Sequence, residues 1–289
     1  MDTKLIILIL QLAFTPYMVL GASRRIVNGQ VIERGQWPFL VSLHYTKPHK
    51  FTIHTGMQHL CGGSLIDPYW VLTAAHCYSE RLSDVTQWRA VLGEYNQFIK
   101  DDGEQTVEIE KAFPHPDYDL ARKSAYVSYD IALLRLKTPA NLTEFVEIID
   151  LNTKEDLEGT EYEVGGWGQL THDPTGFGMY LPMKTNLTVV CTEECHAVYE
   201  HEPYFKVDAS TICATYPAHG ESLVRYANSA CFGDSGGPLV CSTGPPSFVK
   251  TRLSGIVSTG LTCGDVTHPG IYTNVSYYLP WIKEVMSSY

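Results

Sequence analysis

Asp130-Ile131-Ala132-Leu133-Leu134-Arg135-Leu136 is a short apolar stretch that opens on a carboxylate. It reads as a strand with an acid at its mouth. Similar short stretches run from Phe39 to His44, Trp88 to Gly93, Thr106 to Ala112, Leu187 to Val190 and Ser254 to Val257. Val, Ile, Tyr and Thr are plentiful in them, and Gly, Pro, Asn and Asp break them apart. Many short strands at near-regular spacing predict an all-β barrel or sandwich. Two places read as helical. Thr73 to Tyr78 makes one turn, and Tyr278 to Met286 sets Leu279, Trp281, Ile282 and Val285 at helical spacing at the end of the chain. No internal repeat, low-complexity segment or Gly/Ser linker is visible.

The chain has 289 residues, 44% hydrophobic and 18% charged, enough for one large domain or two small ones. Its formal charge of −11 argues against nucleic acid and anionic membrane surfaces as partners. Residues 1–22 read as a secretory signal peptide, with Lys4 ahead of an apolar run from Leu5 to Phe14 and the small residues Gly21, Ala22 and Ser23 after it. That run is too short to anchor the chain in a bilayer. The expectation is a secreted, extracellular protein. Eight cysteines in such a chain suggest a disulfide framework, whose pairing spacing alone leaves open. Asn141, Asn186 and Asn274 each open an Asn-x-Ser/Thr pattern and are candidate glycan positions.

The chemistry starts at Gly233-Asp234-Ser235-Gly236-Gly237-Pro238. A serine hydroxyl is a poor nucleophile until a base takes its proton. The oxyanion that forms needs donors aimed at it. A Gly-rich turn lets backbone N–H groups converge, here those of Gly233 and Ser235. Thr73-Ala74-Ala75-His76-Cys77 places a histidine in a small-residue turn pinned by a cysteine. With Asp130 these segments supply nucleophile, base and orienter, in one of the known chain orders of that triad.

Taken with Arg25-Ile26-Val27-Asn28-Gly29, Gly166-Trp167-Gly168 and Ser258-Thr259-Gly260, these motifs identify the chain as similar to the chymotrypsin/trypsin family of serine proteases from Ile26 onward. The resemblance implies two six-stranded antiparallel β-barrels with a short C-terminal helix and a catalytic cleft between the barrels. The division would fall at about 26–145 and 146–289. It implies an endopeptidase working through an acyl-enzyme, with Ser235 as nucleophile, His76 as general base and Asp130 as orienter. Ser258 would support Asp130 and help bind the substrate strand. No cofactor is needed for that chemistry. Protein or peptide substrates and protein inhibitors are the expected partners of a monomer. The alternative is a non-catalytic homologue that binds or regulates in a proteolytic cascade; its usual mark, a replaced triad residue, is absent.

Residues 23–25 would form a very short propeptide. An activating protease of tryptic specificity would cut after Arg25, and the freed ammonium of Ile26 would pair with Asp234. In the family the pocket floor lies six residues before the nucleophile. Here it is Ser229, with Gly260 and Gly270 at the wall positions. An open, uncharged pocket implies a chymotrypsin-like preference for large apolar or aromatic residues. Asp265 lies near this region. Thr259 stands where the family usually has Trp, which bears on the adjacent subsite. By resemblance the disulfides are Cys61–Cys77, Cys195–Cys213 and Cys231–Cys263. The usual partner of Cys241 falls at Tyr162, so a relocated Cys191–Cys241 bridge is expected. Glu94, Asn96, Asp101 and Glu104 have the spacing of the family's calcium loop; the alternative is an acidic surface loop. His44, His49, His54 and His59 recur at five-residue spacing, which suits neither a helix face nor a strand face, and read as a solvated loop.

Overall fold

The computed structural model describes residues 29–46, 59–78, 83–118, 123, 127–154, 160–169, 178–216, 229–243, 250–265 and 267–289. The signal segment, Arg25, Ile26, His49 and His54 lie outside the described residues. The strands in chain order are β1 (Gln30–Val31), β2 (Leu40–Tyr45), β3 (His59–Asp67), β4 (Trp70–Thr73), β5 (Trp88–Leu92), β6 (Gln105–Pro114) and β7 (Ala132–Leu136). They continue with β8 (Asp150–Leu151), β9 (Glu161–Gly166), β10 (Met183–Val190), β11 (Thr211–Thr215), β12 (Pro238–Thr243), β13 (Lys250–Thr259) and β14 (Gly270–Asn274).

Six of them close an antiparallel barrel in the order β2-β3-β4-β7-β6-β5. Strands β10-β11-β14-β13-β12-β9 close a second, because β9 pairs with both β12 and β10. Strand β6 shows how sequence selects the wall. Val107 and Ile109 are buried, while Thr106, Glu108 and Glu110 between them face out. That is the period of two that a half-buried strand requires. On β7 the pattern is nearly all apolar, and Ala132, Leu133 and Leu136 are completely buried. Closure removes the unpaired edges that short strands would otherwise leave exposed.

Helix α1 (Thr192–Tyr199) and helix α2 (Leu279–Ser288) are the α-helices of the described residues. Sequence periodicity finds α2 but not α1. Helix α1 is held by the Cys195–Cys213 disulfide to β11 rather than by a long apolar stripe. The first described strand and the last helix each cross to the other barrel. Strand β1 pairs with β10 of the second barrel. Helix α2 sends Ile282 into the first barrel's core, while Trp281 rests on His115 and Tyr289 on Phe113.

Disulfides also join Cys61 to Cys77 and Cys231 to Cys263. The expected Cys191–Cys241 bridge is corrected by the structure: both are free thiols. Cys191 caps α1, its Sγ accepting from the Glu194 N–H at 3.4 Å. Cys241 is buried on β12, where its Sγ accepts from the Ser254 hydroxyl. Strand β9 runs between β10 and β12, so two inter-strand steps of about 4.8 Å each separate their backbones. That exceeds the roughly 7 Å that a disulfide spans. Under native conditions a thiol reagent should therefore label Cys191 and spare Cys241, and both should label after unfolding. A mass that shows neither thiol available in the unfolded, unreduced chain would contradict this arrangement.

Candidate active site

The two barrels meet backbone to backbone. A Cβ added to Gly62 on β3 would lie 2.8 Å from the Cα of Gly237, and one on Gly236 would lie 2.1 Å from Thr73 Oγ1. The Gly62 N–H donates to the Ser235 carbonyl at 2.7 Å. Gly236 also has φ +76°, so no other residue fits this junction without strain. The consequence is that Ser235, on the turn before β12, is set against the segment that carries His76.

His76 sits in the 3₁₀ turn Ala75–Tyr78, fixed by the neighbouring Cys77–Cys61 bridge. Its backbone N–H donates to Asp130 Oδ1 at 2.8 Å, and its ring Nδ1 lies 2.7 Å from Asp130 Oδ2. Asp130 is buried, and the Ser258 hydroxyl donates to the same Oδ2 at 2.5 Å. Thr273 Oγ1 on β14 donates to its carbonyl at 2.8 Å, a support the sequence reading missed. Burial alone would raise the Asp130 pKa, but the adjacent His76 and the hydrogen bonds from His76 and Ser258 hold it below the usual carboxylate range. Burial alone would lower that of His76; the Asp130 charge and hydrogen bond outweigh it and raise it. Such a pair holds the ring by Nδ1 and leaves Nε2 for proton transfer. Nε2 lies 3.8 Å from Cys77 Sγ, and no hydrogen bond joins it to Ser235 among the described residues. Bonds of this kind commonly tighten only when substrate binds.

Asp234, next to the nucleophile, is buried in a slot made by Gly166-Trp167-Gly168. Its carboxylate accepts from the Gly168 N–H at 2.8 Å and the Cys231 N–H at 3.0 Å. A Cβ on Gly168 would come within 2.2 Å of that carboxylate, so only glycine permits the approach. Burial pushes its pKa up to about 6 against the pull of those two bonds. Among the described residues no cation pairs with it.

Two of the expected loop histidines are half-buried on strands rather than in a solvated loop. His44 and His59 lie on β2 and β3 in a partly buried polar chain. The His59 Nε2 donates to the Gly233 carbonyl at 2.8 Å, and its Nδ1 lies 2.7 Å from Ser42 Oγ. Ser42 Oγ is also 2.8 Å from His44 Nε2, which lies 3.5 Å from Glu94. Burial pushes both imidazoles down, to about 4 for His59 and about 3 for His44, where repulsion between them adds to it. His44 and His59 are cross-strand partners on β2 and β3 rather than points on one loop, so five-residue spacing does not describe their geometry. Ser42 and His44 are two apart on β2 and share a face, the signal that was available.

A pocket of about 170 Å³ opens beside Ser235 and is lined by Ser229, Ser258, Gly260, Gly270 and Asp265. The hydroxyl of Ser229 donates to the Ala230 carbonyl and accepts from the Gly264 N–H. A Cβ on Gly260 would meet only the Cα of Gly270, at 3.9 Å, so neither wall carries a side chain. Asp265 does reach the pocket. Its carboxylate accepts from the Thr267 N–H and hydroxyl and pairs with His268 at 3.0 Å.

Glu94, Asp101 and Glu104 each bring a carboxylate oxygen to one cluster, within 4.8 Å of one another. Asn96 is not in this cluster: its Oδ1 accepts from the Phe98 N–H, and its own N–H donates to Asp101. Burial pushes the Glu94 pKa up to about 8, with repulsion from Glu104 and Asp101 adding to it.

Residues 26–282 match the family model described as Trypsin. The chain is 34% identical over 267 residues to "Transmembrane protease serine 5" of Homo sapiens, covering 91% of this chain and 52% of that protein. It is 31% identical over 272 residues to "Glandular kallikrein" of Sus scrofa, covering 91% of this chain and 96% of the relative. "Trypsin I-P1" of Gallus gallus is 33% identical over 241 residues, covering 83% of this chain and 85% of the relative. With two closed barrels, and with serine, histidine and aspartate brought to the seam between them, the chain belongs to the trypsin family of serine proteases and is a serine endopeptidase.

Proposed function

We propose that the protein is a secreted endopeptidase, made as a precursor, that cleaves after large apolar or aromatic residues. The observation that carries this reading is the Asp130–His76 pair at the barrel seam, with Ser235 lining the pocket beside it. In the reaction Ser235 Oγ attacks the scissile carbonyl as His76 Nε2 takes its proton. Asp130 holds the imidazole tautomer and stabilises the imidazolium. The N–H groups of Gly233 and Ser235 receive the oxyanion. His76 then returns the proton to the leaving amine, and water releases the acyl group by the same steps in reverse. The pocket supports the preference. Its floor residue Ser229 is uncharged, its walls are bare glycines, and the Asp265 carboxylate is already engaged by Thr267 and His268. Ser258 and Thr259 would flank the bound substrate strand.

Activation by a trypsin-like protease cutting between Arg25 and Ile26 fits the state of Asp234. A buried carboxylate with no cation is costly, and a new ammonium would relieve it. The two backbone bonds that Asp234 accepts come from residues flanking the oxyanion turn, so its charge state bears on Gly233. Secretion rests on the leader at residues 1–22, and no helix of the described residues is long and apolar enough to cross a membrane. Protein inhibitors and a monomeric state complete the reading. Glycans fit the exposed Asn141 and Asn186. Asn274 spends its amide on the Ala209 carbonyl and on Ser276. A calcium ion fits the three converging carboxylates, which are hard oxygen donors under mutual repulsion. Glu94, Asp101 and Glu104 would hold it, and it would add rigidity rather than chemistry.

After controlled cutting at Arg25-Ile26, peptides with Phe or Tyr before the scissile bond should turn over faster than those with Ala or Arg. The Ser235→Ala variant should lose on the order of 10⁶ in kcat. The acid limb of kcat/KM should lie above pH 6.5, where Asp130 has raised His76, and should move down in Asp130→Asn. Turnover after Arg alone would overturn the specificity, and full activity in Ser235→Ala would overturn the mechanism. The acidic cluster gives a separate check. The folded pKa of Glu94 is raised, so the folded chain binds the extra proton between the ordinary carboxylate range and about 8. Stability in EDTA should therefore fall as pH rises from 5 to 8, and added calcium should remove that fall. A melting temperature at pH 8 that is the same in EDTA and in calcium would exclude the ion.

A further inference from the structure

Tyr129 has φ +57° and is the one non-glycine residue with positive φ among the described residues. This left-handed conformation is unfavourable for a bulky L-residue and persists only where its surroundings enforce it. Its place is specific. Val127 bridges to Phe205 beside the second barrel, and its N–H donates to the Tyr204 carbonyl. Ala132 already begins β7 of the first barrel. The chain thus crosses from one barrel to the other in the few residues around Asp130, and Tyr129 makes the turn. The Ile131 N–H donates to the Tyr129 carbonyl at 2.8 Å, closing a tight turn around Asp130 that Tyr129 enters, and the His115 N–H takes the Ile131 carbonyl at 2.9 Å.

What enforces the turn is also visible. The Tyr129 ring stacks on His115 with centroids 5.0 Å apart and planes 20° from parallel. His115 is packed in turn against Tyr278 and Trp281, at 5.5 Å and 5.1 Å. The His115 Nδ1 accepts from the Asp117 N–H, which fixes the ring's orientation. On the far side of the turn, Asp130 is gripped from both barrels, by His76 on its carboxylate and Thr273 on its carbonyl. A change of backbone direction at Tyr129 would swing the carboxylate off His76.

We propose that Tyr129 is a positioning residue for Asp130: its left-handed turn, clamped by the stack on His115, sets where the carboxylate points. The proposal rests on the triad reading above, and the test separates the two. Valine is barred from this conformation, whereas asparagine tolerates it. In the activated enzyme, Tyr129→Val should lower kcat on the order of 10²-fold with KM held. Its acid limb of kcat/KM should move to lower pH, because the Asp130 charge no longer supports the imidazolium. Tyr129→Asn should restore both kcat and the limb. Should Tyr129→Val fail to fold, His115→Ala takes its place, since it removes the clamp and leaves the turn residue unchanged; it should show the same split and the same shift. Wild-type kcat and limb in Tyr129→Val, or in His115→Ala where valine does not fold, would overturn the proposal. So would an asparagine variant as impaired as valine. An inactive wild type would instead sink the triad reading.

Discussion

The closeness of two backbones decides most of this molecule. Gly62 on one barrel and Gly236 and Gly237 on the other leave no room for a single carbon atom between them. A protein interior transmits such a contact rigidly, because it is packed to near crystalline density. Ser235 and His76 belong to different barrels, and neither barrel alone could fix their separation. The glycine seam does so, and the Gly62 to Ser235 hydrogen bond sets its register.

Two buried carboxylates lie at this seam and are stabilised in opposite ways. Asp130 has a histidine, a serine hydroxyl and a backbone N–H on its oxygens, so its charge is kept. Among the described residues Asp234 has two backbone N–H groups only, and burial wins. The first arrangement supports a base at neutral pH. The second leaves an electrostatic demand beside the oxyanion turn, ready for a cation to answer. The same low-dielectric surroundings strengthen one site and penalise the other, and the difference is only in who donates.

Much of this was legible in the residues. The stretch Asp130–Leu136 announces its strand because apolar residues and a terminal acid are local features. The serine turn announces itself because glycine marks close approach wherever it recurs. Other features are written in pairings between distant segments, which no single stretch contains. His44 and His59 looked like parts of one loop, yet they sit on neighbouring strands with Ser42 between their rings. Cys191 and Cys241 were each left without a partner by the pattern, but strand β9 stands between their strands. Helix α1 has little apolar periodicity and is placed by a disulfide and by the buried Tyr199, whose partners lie far along the chain. The strain at Tyr129 is a property of the backbone, and a tyrosine gives no hint of it.

Strand β1, the first described strand, lies on the second barrel, and α2 packs against the first. Each half is thus buckled to the other by a strap that belongs to its neighbour in sequence. A fragment cut at the midpoint would carry away one strap and leave its own apolar surface bare. The barrels are two in architecture but one in assembly: they close together, and the cleft exists only once both straps are fastened.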